Sequence, residues 1–113
     1  IKIMSKSHDE LIAFCAHDNE PTFNFNKALE EAAEFMDATL KYQTKHPDNP
    51  KRPPKEEILK EYGDLTYRGL ILLKMINPEL TLDQIYTKII DHVSMKLDKL
   101  QQYRKDGHYA NGL

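Results

Sequence analysis

Cysteine is nearly missing: Cys15 is the only one, so no intrachain disulfide can form and nothing suggests a disulfide-stapled secreted fold. The chain also lacks a long apolar run. Runs such as Leu70 to Leu73 fall far short of a bilayer's thickness. Basic excess is absent too, because a formal net charge of −2 leaves out the electrostatic term on which nucleic-acid binding depends. There is no glycine-rich phosphate loop of the Walker type, and Gly63 and Gly69 sit inside helical patterns. No Glu-x-x-His occurs, which argues against a di-iron bundle, and five scattered histidines beside one cysteine argue against structural zinc. These absences predict a cytoplasmic protein that neither enters membranes nor binds nucleic acid.

What is present describes an ordinary globular chain, with 40% hydrophobic and 30% charged residues in 113, enough for one domain spanning 1–113. With four glycines, six prolines, no strand-length run of period two, no internal repeat and no low-complexity segment, the expected class is all-α. Ser7-His8-Asp9-Glu10 reads as a capping box opening a short first helix that stops near Asp18-Asn19, before Pro21. A second helix is expected from Phe25 or Asn26 to about Lys45, with Phe25, Leu29, Ala32, Met36 and Leu40 forming its apolar stripe. The proline-rich stretch 46–54 must be a loop.

A third helix should start at Pro54 or Lys55 and end at Asn77-Pro78, with Ile58, Tyr62, Leu65, Gly69, Leu72 and Ile76 as its stripe. Thr81 and Gln84 form a second capping box, opening a fourth helix that runs to about Arg104. Its inner face is expected to be Leu82, Tyr86, Ile89, Val93, Leu97 and Leu100, and the tail from Asp106 to Leu113 is expected to be loop. The result is a four-helix, bundle-like fold of three long helices and one short one. Apolar residues off these stripes, such as Phe35, Ile71, Ile90 and Met95, predict a homodimer or homotetramer.

Two acidic clusters stand out, Glu30-Glu31-Ala32-Ala33-Glu34 and Glu61-Tyr62-Gly63-Asp64. Residues three or four apart share a helical face, so each cluster presents carboxylates together. On the second helix Glu31, Glu34 and Asp37 lie opposite the apolar stripe, which is also how a plain solvated face looks. On the third helix Glu61 and Asp64 flank the stripe, where carboxylates need a partner, a proton or a metal. Arg68, four residues past Asp64, is the one well-placed basic partner on that helix, and it is too few for both clusters. Two such helices side by side would make a nest of hard oxygen ligands suited to Mg²⁺ or Mn²⁺, and so to the phosphates of a nucleotide.

Glu-Glu-x-x-Glu, some two dozen residues, then Glu-x-x-Asp resembles the signature of the MazG-like all-α nucleoside triphosphate pyrophosphohydrolases, and both halves fit without substitution. The resemblance covers about residues 25–105. It implies that Glu31, Glu34, Glu61 and Asp64 ligate Mg²⁺, with Mn²⁺ as a substitute, and that Glu30 orients water or stands in the outer shell. It further implies cleavage of a nucleoside triphosphate between the α- and β-phosphates, to a monophosphate and pyrophosphate. Glu30, Glu31 and Glu34 are all eligible as the general base. Basic residues of the last helix, here Lys96, Lys99 and Arg104, would meet the phosphates, with Lys96 aimed inward from the edge of its stripe. A phosphoribosyl-ATP-type pyrophosphohydrolase and a non-catalytic helical interaction module are the alternative readings.

Overall fold

The computed structural model describes residues 4–107, and the part of the tail from His108 onward lies outside them. The described residues form four helices and no strand: α1 (Lys6–Asp18), α2 (Pro21–Thr44), α3 (Lys55–Ile76) and α4 (Leu82–Lys105). None is long and apolar enough to cross a membrane. The expected pattern of one short and three long helices holds, and so do most of the ends. Thr81 accepts the Gln84 amide while Gln84 reaches back to the Thr81 amide, completing that box.

Two helix starts differ from expectation. Ser5, rather than Ser7, caps α1, its hydroxyl accepting the His8 amide at 3.2 Å, while Ser7 lies within the first turn. Helix α2 begins at Pro21, four residues before Phe25, because a proline at the first helical position gives up only an amide that has no intrahelical partner anyway. The proline that ends α1's neighbourhood therefore also starts α2.

Helix α3 is central, and the other three pack mainly through it. It runs antiparallel to α2: Phe35 meets Tyr62 with ring centroids 5.0 Å apart, while near the other end Asn24 Nδ2 donates to Met75 Sδ at 3.4 Å. Asn24 is fully buried and also donates to the Cys15 carbonyl at 3.2 Å, so one side chain fastens α1, α2 and α3. Small residues at Ala28 and Ala38 let α2 approach closely.

The face that α2 turns inward is not the predicted one. Asn24, Ala28, Glu31, Phe35, Ala38 and Tyr42 are buried or half-buried, whereas Leu29 and Met36 of the expected stripe are 66% and 63% exposed, and Phe25 and Leu40 are exposed as well. The inward set is offset by one residue, about 100° around the helix. The most apolar face of α2 therefore remains open, and of the acidic face Glu31 turns toward α3 while Glu34 and Asp37 stay exposed. A similar correction applies to α3, where Leu70, Ile71 and Lys74 are buried while Tyr62 and Ile76 are exposed.

A small core of Leu70, Leu82 and Ile85, joined by Met4, Ile12, Leu73, Leu80 and Tyr86, docks the start of α4 against α1 and α3. The buried Lys74 ammonium donates to the Leu80 carbonyl and holds the intervening turn. Past Tyr86 most of the predicted inner face is uncovered: Ile89, Val93 and Leu97 are exposed, and Leu100 is half-buried. Helix α4 thus projects from a three-helix body. The radius of gyration of 17.6 Å exceeds the roughly 13 Å expected of a compact domain this size.

Candidate functional site

The offset of α2 decides what happens to its carboxylates. Glu31 occupies the inward face one turn before Phe35, with Glu34 beside it, and antiparallel α3 brings Glu61 opposite. One oxygen from each of Glu31, Glu34 and Glu61 falls within 4.8 Å of the others. Glu31 and Glu61 are half-buried as residues, yet the Oε2 atom of each is out of water and has no hydrogen-bond partner.

Burial pushes the Glu31 carboxyl above the ordinary glutamate range, and Glu34, Asp64 and Glu61 push it the same way. Glu34 is also near enough to share a proton with it. Burial likewise raises the Glu61 carboxyl, with Glu34, Glu57 and Asp64 adding to the effect. Asp64 is exposed and outside the tight trio, but close enough to be felt by both. Among the described residues, none of these four carboxylates forms an ion pair.

Arg68, the expected partner of Asp64, is engaged elsewhere. Its guanidinium lies 4.6 Å from the Tyr67 ring centroid and 6.0 Å from that of Phe23, with a buried Nε that has no acceptor. The apolar setting of these rings, rather than a carboxylate, holds the side chain. Arg68 therefore does not balance the acidic group.

The other expected residues divide. Glu30 points away from the trio and pairs with Lys27 at 3.2 Å. Lys96, Lys99 and Arg104 are exposed on the projecting part of α4. Lys96 is not aimed inward, because it and its stripe neighbours Val93 and Leu97 are exposed.

Three residues of the site were not singled out from sequence. Glu57 lies one turn before Glu61 and helps raise its carboxyl. With Glu34 and Glu61 it lines a cleft of about 250 Å³ that also takes in Lys41 of α2 and Lys51 of the proline-rich loop. The four-residue spacing of Glu57 and Glu61 was a readable signal for the first. No helical period reaches Lys51, since it lies in a loop.

The donor set is made of hard carboxylate oxygens, two of them dehydrated and unpartnered, and this composition fits Mg²⁺ or Mn²⁺ and not a thiolate- or imidazole-seeking metal. Compared with models of protein families, with curated proteins and with solved structures, the chain matches none.

Proposed function

We propose that the protein is a Mg²⁺-dependent nucleoside triphosphate pyrophosphohydrolase, cleaving between the α- and β-phosphates to give a nucleoside monophosphate and pyrophosphate. One observation carries the reading. Three carboxylates from two helices converge within 4.8 Å, with two of their oxygens buried and unpartnered and no cation of the chain paired to them among the described residues. Burying like charges together is unfavourable unless something binds there. A merely solvated acidic face would not turn Glu31 into the helix interface.

Glu31, Glu34 and Glu61 would hold the cation, with Asp64 at its edge. When bound, Mg²⁺ supplies positive charge that offsets the charge gathering on phosphate oxygens and lowers the pKa of water. The chain's own residues supply position and proton acceptance. Glu30 is drawn toward Lys27, which narrows the eligible acceptors to Glu31 and Glu34. The adjoining cleft, open and walled by α2, α3 and the loop, is where a phosphate chain would lie.

The exposed apolar residues of α2, Phe25, Leu29, Met36 and Leu40, and of α4, Ile89, Val93 and Leu97, support a homodimer or homotetramer, since apolar side chains grouped on one face mark interaction surfaces. In such an assembly Lys96, Lys99 and Arg104 could serve the phosphates from a partner's α4.

The test is pyrophosphate release from a panel of ribo- and deoxynucleoside triphosphates, and from phosphoribosyl-ATP, with Mg²⁺ and then with excess EDTA. The expected result is Mg²⁺-dependent release with monophosphate as co-product. Release from phosphoribosyl-ATP alone would shift the assignment to that substrate, and silence on every substrate from folded protein would refute it.

A further inference from the structure

The proline-rich segment between α2 and α3 is folded back as a pinned wall of the acidic cleft. Two consecutive turns shape it, with the Asn49 amide donating to His46 O at 2.9 Å and the Arg52 amide to Asn49 O at 3.0 Å. Asn49 Oδ1 accepts the Lys51 amide at 2.9 Å, fixing the backbone there. Arg52 reaches back to the end of α2: its Nε donates to the Tyr42 carbonyl at 2.9 Å, and its guanidinium carbon lies 3.9 Å from the Tyr42 ring centroid. These contacts attach the loop and commit Arg52 to the attachment.

Lys51 is left over. Its ammonium forms no ion pair among the described residues, and it lines the same cleft as Glu34, Glu57 and Glu61. Lys41, the other lysine of the cleft, is held by Asp37 at 2.7 Å.

We infer that Lys51 is a phosphate-contacting residue, its ammonium meeting the phosphate chain of the substrate as that chain enters from the carboxylate cluster. This rests on the reading of the cluster as a divalent-cation site for nucleotides. A triphosphate brings several negative charges to a cleft that is already acidic, and the cation offsets only part of them. Lysine is a point charge well suited to phosphate, and Lys51 can turn to it without leaving a partner, whereas Lys41 would first have to release Asp37. The Arg52 anchor keeps the loop from having to order around the ligand, which lowers the entropy lost on binding.

The experiment uses the full chain, with Mg²⁺ alone as the first probe and inorganic pyrophosphate in the presence of Mg²⁺ as the second. Melting curves with and without Mg²⁺ report the carboxylate site, and titration calorimetry reports the phosphate contact. Lys51→Ala is expected to keep the wild-type melting rise with Mg²⁺ while weakening pyrophosphate binding by roughly tenfold or more. Lys51→Arg should recover most of that loss. Lys55→Ala, which removes a nearby exposed lysine outside the cleft, should leave both readouts unchanged.

In turnover, Lys51→Ala should raise KM for a nucleoside triphosphate more than it lowers kcat. Wild-type pyrophosphate affinity in Lys51→Ala, with the Mg²⁺ response intact, would overturn the inference alone. Loss of the Mg²⁺ response in Lys51→Ala would also overturn it, since the residue would then be shaping the site rather than touching phosphate. No Mg²⁺ response in the wild type would overturn the functional reading and this inference together.

Discussion

The carboxylate of Asp9 accepts the backbone amide of Leu82 at 2.6 Å, joining the first turn of α1 to the first residue of α4 across 73 positions of sequence. Asp83 Oδ1 returns the contact, accepting the Met4 amide at 3.3 Å. A free amide at a helix start is thus satisfied by a residue from another helix, where negative charge also complements the dipole. Since little else of α4 is packed, Asp9→Ala should cost about 1–2 kcal/mol of stability, with Asp9→Asn milder. Chemical denaturation of the two variants checks this, and equal midpoints for Asp9→Ala and wild type would refute it.

Loss of a carboxylate from the cluster should abolish the proposed hydrolysis without unfolding the chain. Glu34→Ala and Asp64→Ala each remove an exposed side chain, so helical circular dichroism should stay at the wild-type level. Turnover should fall by roughly a hundredfold or more, as expected when cation binding is impaired. Initial rates at saturating Mg²⁺ decide the point.

Acidity and Mg²⁺ should each stabilise the wild type, one by protonating the clustered carboxylates and the other by binding them. Folding raises the Glu31 and Glu61 carboxyls above their ordinary value of 4.5, so the folded chain holds these protons more tightly than the unfolded chain. The stabilisation this gives is complete below the unfolded value and is lost as pH rises through the raised folded values. In EDTA, Glu31→Gln/Glu61→Gln should therefore gain melting temperature over wild type as pH goes from about 4 to 7. With Mg²⁺ the wild type should recover, by on the order of 10 °C at a hundredfold excess over Kd, while the double variant should not. A melting difference that stays flat with pH would contradict the raised carboxyls.

Charge on the open face of α2 should break the proposed assembly. Leu29→Glu and Met36→Glu replace exposed residues, so the monomer should keep its melting temperature within a few degrees. Sedimentation velocity should show a shift from oligomer to monomer. An unchanged sedimentation coefficient would separate this face from self-association.

Much of this architecture could be read from local chemistry. Thr81 with Gln84, the prolines of 46–54 and Asn77-Pro78 mark helix boundaries because caps and breakers act within a turn of where they stand. The facing of α2 could not be read in the same way. Periodicity ranks faces by apolarity, and in α2 the most apolar face is not the one against α3; that position goes to Ala28, Glu31, Phe35 and Ala38. The sequence places Glu31, Glu34 and Glu61 on two helices, but the packing of α3 that half-buries Glu31 and Glu61 and leaves Glu34 exposed follows from the facing of α2. Likewise Arg68 was four residues from Asp64, but Phe23 and Tyr67, whose rings it meets, offered no sequence sign of that choice.

From Thr87 to Lys105, α4 leaves the body as a rod about 28 Å long, seated on little more than Leu82, Ile85 and Tyr86. A rod on so small a seat works as a pointer. A tilt of about 10° at Ile85 would swing Arg104 through roughly 5 Å at the far end. Side chains that fill the seat therefore govern the position of cations that touch none of them. A trimmed methyl group at Ile85 would be felt first as misdirection, and only afterwards as lost stability.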